Sequence, residues 1–299
     1  MFLSFLNNLI NGVSLGSIYA IIALGYTMVY GIAKMLNFAH GDVIMVGAYI
    51  SYYAVSSAAS CLGLNPAVGL LLSVVICTVL GIVIEFLAYR PLRLAPSLAV
   101  LITAIGISYF LQNASQLICG SDTKFFPYVE FFQNKLFTVG GLSISLTTIV
   151  TIAACIAIMV GLTLFTGKTK IGKAMRACSE DKGAAQLMGI NVNRTISVTF
   201  AIGSALAAIA GILFGCAYPT LSPTLGSMPG IKAFTAAVFG GIGSIPGALL
   251  GGILLGIIEN LAKGYISTEL SDAIVFAVLI IVLLVKPTGL LGKKVREKV

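Results

Sequence analysis

Charge is what this 299-residue chain lacks most: Asp and Glu number 10, Lys and Arg 18, together 9% of the residues. Soluble domains carry roughly 25%, so the deficit excludes a soluble protein and points to a polytopic membrane protein solvated by lipid. Tryptophan is absent, which leaves the interfacial belts to Tyr and Phe. There is one histidine, His40, and no His, Asp or Glu cluster at ligand or acid/base spacing. That argues against catalytic residues, a metal site or a cofactor. The six cysteines (Cys61, Cys77, Cys119, Cys155, Cys178, Cys216) are scattered without a CxxC pair, so they read as small buried apolar residues rather than a disulfide or metal framework. No Lys or Arg precedes Lys34, and the N-terminal apolar run therefore reads as a retained span, not a signal peptide.

What is present is apolar residues, 58% of the chain, and 33 glycines, a composition suited to closely packed transmembrane helices. A helix crosses the hydrocarbon core with about 20 residues, and candidate spans fall near 9–30, 42–60, 66–88, 98–118, 142–165, 196–217 and 271–287. Between the last two lies MPGIKAFTAAVFGGIGSIPGALLGGILLGIIENLA, residues 228–262. It reads as two short helices joined by GGIGS, with Pro246 just inside the second, a Gly-rich broken or re-entrant hairpin. The expected fold is an all-α polytopic membrane protein in one domain, 1–299, with about 8–9 membrane segments counting that hairpin.

Lys and Arg set the orientation. Arg90 and Arg93 stand in one turn, and Lys168, Lys170, Lys173, Arg176, Lys182 and Arg194 in a long loop. Lys286, Lys293, Lys294, Arg296 and Lys298 stand in or beside the basic tail 288–299. Helix parity places all of these on one side, whereas the 119–140 loop and the 263–272 turn mix both signs. The positive-inside rule makes the first set cytoplasmic, with the N-terminus outside and the C-terminus inside a cytoplasmic membrane.

The long loop is the one extended charged stretch, FTGKTKIGKAMRACSEDKGAAQLMGINVNR (165–194). Its GKT invites a nucleotide, but Gly161 and Gly167 have five residues between them where a P-loop has four, and Gly161 lies inside an apolar span. ATP binding by this chain is excluded on that basis. From Ile171 the apolar residues fall at 171, 174, 175, 178, 185 and 188, the period of an amphipathic helix along the membrane surface. The basic residues up to Arg176 face lipid phosphates or a partner, and Glu180 and Asp181 add an acidic step. A solvated basic loop is the plainer reading, but a loop of this length is longer than a connector needs.

Two further places carry candidates for a transport path. NFAHGD (37–42) sets Asn37, His40 and Asp42 beside a membrane boundary, with Gly41 available for a sharp turn. Asp42 at a helix start is favoured by the dipole and can cap it; a role in gating or, with His40, in proton coupling is the alternative. The glycines Gly240, Gly241 and Gly243 of the hairpin mark irregular backbone, which at membrane depth is tolerated only where it is buried or lines a cavity. Lys232 and Glu259 are charges within that hairpin and are able to pair with each other, whereas Glu85 reads as snorkelling towards the cytoplasm.

Three stretches resemble the permeases of branched-chain amino acid ABC importers, of the LivH type. These are NGVSLGSIYAIIALGYTMVYGIAKMLNFAHGDVIMVGAY (11–49), GKAMRACSEDKGAAQLMGINV (172–192) and FGGIGSIPGALLGGILLGIIE (239–259). In such importers a cytoplasmic loop with a pattern like E-A-A-x-x-x-G docks on the ATPase. GAAQLMG (183–189) fits from Ala184 and Ala185 to Gly189, but has Gly183 in place of Glu and lacks the I-x-L-P tail. The resemblance implies that 166–194 is a coupling loop, with Lys173, Arg176, Glu180, Asp181, Ala184, Ala185 and Gly189 as docking residues. It also implies two cytoplasmic ATPase subunits, a second homologous permease and an extracytoplasmic binding protein as partners, with no nucleic acid. Competing readings are a stand-alone secondary transporter or channel, which calls for more membrane-buried acids than the chain offers, a purely structural membrane subunit, and a permease for a small amide such as urea.

Overall fold

The computed structural model describes residues 2–56, 62–126, 135–139 and 142–292. Eleven helices are defined among them. They are α1 (Phe2–Ala33), α2 (His40–Val55), α3 (Pro66–Ile84), α4 (Ser97–Cys119), α5 (Leu146–Lys168), α6 (Lys170–Glu180), α7 (Lys182–Leu187), α8 (Val192–Ala217), α9 (Ser227–Gly240), α10 (Ile245–Tyr265) and α11 (Ser271–Val285). A π-helical turn, Glu85–Tyr89, prolongs α3. Two small antiparallel pairs complete the set: β1 (Lys124–Phe125) with β4 (Thr220–Leu221), and β2 (Lys135–Val139) with β3 (Leu142–Ser145).

Among the described residues, six helices are long and apolar enough to cross a membrane: α1, α3 with its π-turn, α4, α5, α8 and α10. The hydropathy reading located five of these as spans; it overestimated α2 and α11 and took α10 for a short helix. The expected span 42–60 is α2, which starts at His40 and has 16 residues, about 24 Å at 1.5 Å per residue against a core of about 30 Å. The expected span 271–287 is α11, with 15 residues. The expected pair of short helices is one short helix, α9 with 14 residues, and one full-length helix, α10 with 21. Pro246 does sit in the first turn of α10, and the Ser244 hydroxyl accepts from Gly247 N–H to cap it.

α1 is the axis: 89% of its apolar window is buried, against 17–28% for α3, α4 and α5. Glycines let α10 lie against it. A Cβ on Gly16 would stand 2.7 Å from the Ile253 Cα, and one on Gly12 2.9 Å from the Ile257 Cα. The two helices run antiparallel, so that Gly243 neighbours Gly31 at one end and Gly264 meets Asn8 at the other. Backbones this close gain dispersion contacts that lipid cannot supply. Of the sequence-stretch expectations, residues 127–134 and 140 of the 119–140 loop, Cys61, and residues 293–299 of the basic tail lie outside the described residues.

Candidate functional site

The charged loop folds as two helices with a break at Asp181, not as one amphipathic helix. Thr169 caps α6 by accepting from Gly172 N–H at 2.9 Å, and Asp181 caps α7 by accepting from Gly183 and Ala184 N–H at 2.8 and 3.0 Å. Met175 and Cys178 are buried in the protein, so part of the stripe read as lying along the membrane surface instead seats α6 on the bundle, while Ile171 and Met188 stay exposed. Lys173, Arg176, Glu180, Asp181, Ala184 and Gly189 are exposed, while Ala185 is turned inward. Arg176 also donates to the Gly167 carbonyl at 3.1 Å.

α7 ends in a reversal set by Gly189, whose φ is +81°. Ile190 N–H returns to the Ala185 carbonyl and Gly189 N–H to Gln186, each at 3.0 Å, the bonding of a Schellman cap. Just before it, Leu187 and Met188 are 91% and 82% exposed. Lys182 anchors the same short helix to the axis, donating from Nζ to the Ala33 carbonyl at the end of α1 at 2.7 Å. Partial burial, then the neighbouring Arg93 and Lys34 charges, hold the Lys182 ammonium below the ordinary lysine range.

Beside this anchor, Glu85 does not snorkel. It is fully buried and takes hydrogen bonds from Arg93 and from the Ser197 hydroxyl, the latter at 2.6 Å; Arg93 also donates to Asn193. One turn on, the buried Tyr89 hydroxyl donates to Asn37 Oδ1 at 2.9 Å. The π-turn is thus tied to α8 through Glu85 and to NFAHGD through Tyr89.

Asn37, His40 and Asp42 are all buried, at 5%, 1% and 1% exposure. Gly41 is not a turn: it lies within α2, where a Cβ would stand 2.6 Å from the Gly226 carbonyl oxygen and 3.2 Å from the Gly230 Cα. The N-termini of α2 and α9 therefore meet inside the bundle, and their positive dipole ends converge. Asp42 is drawn to that point as the dipole reading expects, but the residue at the N-cap is Ala39 and no side chain caps there. Asp42 accepts instead from Gln112 at 2.9 Å, and Gln112 also reaches the Ser227 hydroxyl at 3.1 Å. His40 fills the slot left by Gly25 and Gly203, with its ring edge-on to Tyr26 at 4.6 Å and Nε2 without a hydrogen-bond partner. His40, Tyr26, Asn37, Phe234 and Ile242 border a cavity of about 10 Å³, the scale of a single water.

The hairpin glycines serve a different purpose from lining that space. Gly241 and Gly243 have φ of +105° and +93° and form the turn between α9 and α10. Gly240 and Gly241 are packed against the backbones of Gly247 and Gly292. Leu290 and Leu291 N–H bond the carbonyls of Phe239 and Gly240, both at 2.9 Å. Of that turn only Ile242 reaches the cavity. Lys232 and Glu259 do pair, at 2.8 Å, and belong to a larger set: Lys232 also meets Asp272 at 2.6 Å, Lys263 meets Glu259 at 2.6 Å, and the Tyr19 hydroxyl donates to Glu259 at 2.9 Å.

Residues 8–283 match the family model described as branched-chain amino acid transport system / permease component. The chain belongs to that permease family. It is 47% identical, over 306 aligned residues, to the high-affinity branched-chain amino acid transport system permease protein LivH of Salmonella typhimurium, covering all of this chain and 99% of that protein. It is 48% identical over the same span to LivH of Escherichia coli K12, and 46% identical over 303 residues to BraD of Pseudomonas aeruginosa, covering 99% of this chain and 98% of that protein. Several residues of the permease now in view carry no local sequence signal. Gln112, Tyr89 and Ser197 are ordinary members of apolar helices, and only the fold reveals that each satisfies a buried polar group. Asp272 and Lys263 fall in the mixed-sign 263–272 turn of the sequence reading, although they reach into the bundle from its end.

Proposed function

We propose that this permease is the membrane subunit of a bacterial ATP-driven importer of branched-chain amino acids, and that it performs no covalent chemistry itself. The observation that carries this beyond family membership is the α6–α7 segment. It projects an exposed Leu187–Met188 pair from the end of the bundle while Lys182 ties it to the end of the axial helix. An apolar knob with flanking charges suits a cleft on a cytoplasmic ATPase, the charges fixing orientation. Two ATPases, a second homologous permease and an extracytoplasmic binding protein complete the assembly. Closure of the ATPases on ATP pulls α7, and Lys182 passes the displacement to α1, switching the pathway between outward and inward access.

In this reading the α6–α7 end faces the cytoplasm, and the N-terminus, with Lys263, faces outward. The six full-length helices, the shorter α11 and the two half-length helices α2 and α9, whose starts meet within the membrane, account for about nine segments. The test is leucine uptake into proteoliposomes holding this chain with its partner subunits and ATP. Uptake that requires ATP and every partner supports the proposal; uptake by the chain alone on an ion gradient overturns it.

A further inference from the structure

The buried ion-pair chain is larger than helix packing needs. Four charges alternate along it, Asp272, Lys232, Glu259 and Lys263, with links of 2.6, 2.8 and 2.6 Å. It joins α9, α10 and α11, and Tyr19 adds α1. Glu259 is fully buried, whereas the side chains of Asp272 and Lys263 are 38% and 32% exposed. Both terminal charges therefore reach the surface at one end of the bundle, and the two inner ones are buried. That end carries Gly264 against Asn8; Ala33 and Lys182 mark the other, roughly 37 Å along α1 at 1.5 Å per residue.

Buried ion pairs stabilise poorly compared with apolar packing, because desolvation offsets most of their attraction. Ionisable groups within membrane helices are functional candidates for the same reason. Here the two signs are equal in number, and of the two terminal links Lys232 with Asp272 joins separate helices and has the more exposed partner, whereas Lys263 with Glu259 lies within α10. A ligand carrying one positive and one negative group can open that link and replace it by two, its carboxylate on Lys232 and its ammonium on Asp272. Every charge remains paired throughout. A singly charged ligand would leave one partner buried and unpaired, a heavy penalty, and a neutral amide gives no return for breaking the pair.

We infer that Lys232 and Asp272 form a binding site for the α-carboxylate and α-ammonium groups of a zwitterionic amino acid, with Glu259, held by Lys263 and Tyr19, positioning Lys232. The site is the outward receiving point of the path. This inference rests on the import reading above.

The experiment is equilibrium binding of radiolabelled leucine to the detergent-solubilised complex without binding protein. The competitors are unlabelled leucine, its keto acid lacking the ammonium, and its amine lacking the carboxylate. The expected result is competition by leucine alone, with binding weakened about tenfold or more in Asp272→Asn and Lys232→Met, the scale of one lost charge-assisted hydrogen bond. Equal competition by the singly charged analogues, no leucine binding, or unchanged affinity in both variants overturns the site. The competition arm uses the unaltered complex, so a variant that fails to assemble does not decide the outcome. ATP-driven leucine uptake by the unaltered complex is measured in parallel. Its presence with no binding at this site removes the site alone; its absence removes the import reading.

Discussion

Two glycines show how much depends on single residues here. Gly189 has open space where a side chain would go, yet its φ of +81° is one that L-residues rarely adopt, Asn more readily than most. Crowding is therefore not its constraint; conformation is. Gly189→Val should loosen the end of α7 by about 1–2 kcal/mol, lowering the amount of ATPase that copurifies, while Gly189→Asn, which tolerates this region, should stay near the parent. Gly25 is constrained in the opposite way, since a Cβ there would press into the His40 ring. Gly25→Ala should destabilise the detergent-solubilised protein by about 1–3 kcal/mol as an overpacked core, read as a lower melting temperature. Adding His40→Ala should recover part of that loss. The sequence singles out Gly189 only through the E-A-A-x-x-x-G-like pattern and Gly25 not at all, because neither a positive φ nor a slot for a distant ring is written in the local pattern.

At the scale of elements, the long apolar helices were legible because about 20 consecutive apolar residues have few alternatives. The half-length ones were not. α2 begins at His40 because the chain re-enters after Ala33 and Lys34, the latter at φ of +57°. No cap residue announces the start, and the contact that holds it, Gly41 against Gly226, is 185 residues away in sequence. The pairing of Lys232 with Glu259 was foreseeable, since two opposite charges in one apolar stretch have little else to meet. Arg93 with Glu85 and Ser197 was not, because snorkelling offered an equally good local reading. That trio gives a prediction for the α3–α8 junction: Arg93→Ala leaves Glu85 buried without its cation and should destabilise by about 3–5 kcal/mol, seen as poor accumulation in the membrane. Arg93→Met with Glu85→Gln should recover most of it. For α7, Lys182→Met should leave ATPase copurification intact while uptake per ATP falls, and Lys182→Arg should restore coupling, because only a long donor reaches the Ala33 carbonyl.

For the whole molecule, the contrast between a buried α1 and the open faces of α3, α4 and α5 makes the outer helices the surface offered to lipid or to a second subunit. The proposed orientation, argued from the basic residues near α6 and α7, is checked with an impermeant thiol reagent in a background without native cysteines. Leu187→Cys should label only in inside-out vesicles, and Thr268→Cys only in right-side-out ones. The reverse pattern would turn the molecule over and separate α7 from any cytoplasmic ATPase. One contact also constrains the order of assembly. The carbonyls of Phe239 and Gly240 receive their hydrogen bonds from Leu290 and Leu291, about fifty residues later in synthesis. At roughly 5–20 residues per second, α9 waits several seconds after it emerges before its end is closed. During that interval the nascent chain holds a half-length helix with open carbonyls. Quality control that senses exposed backbone thus has a window in which to reject a chain whose 286–292 segment fails to fold back.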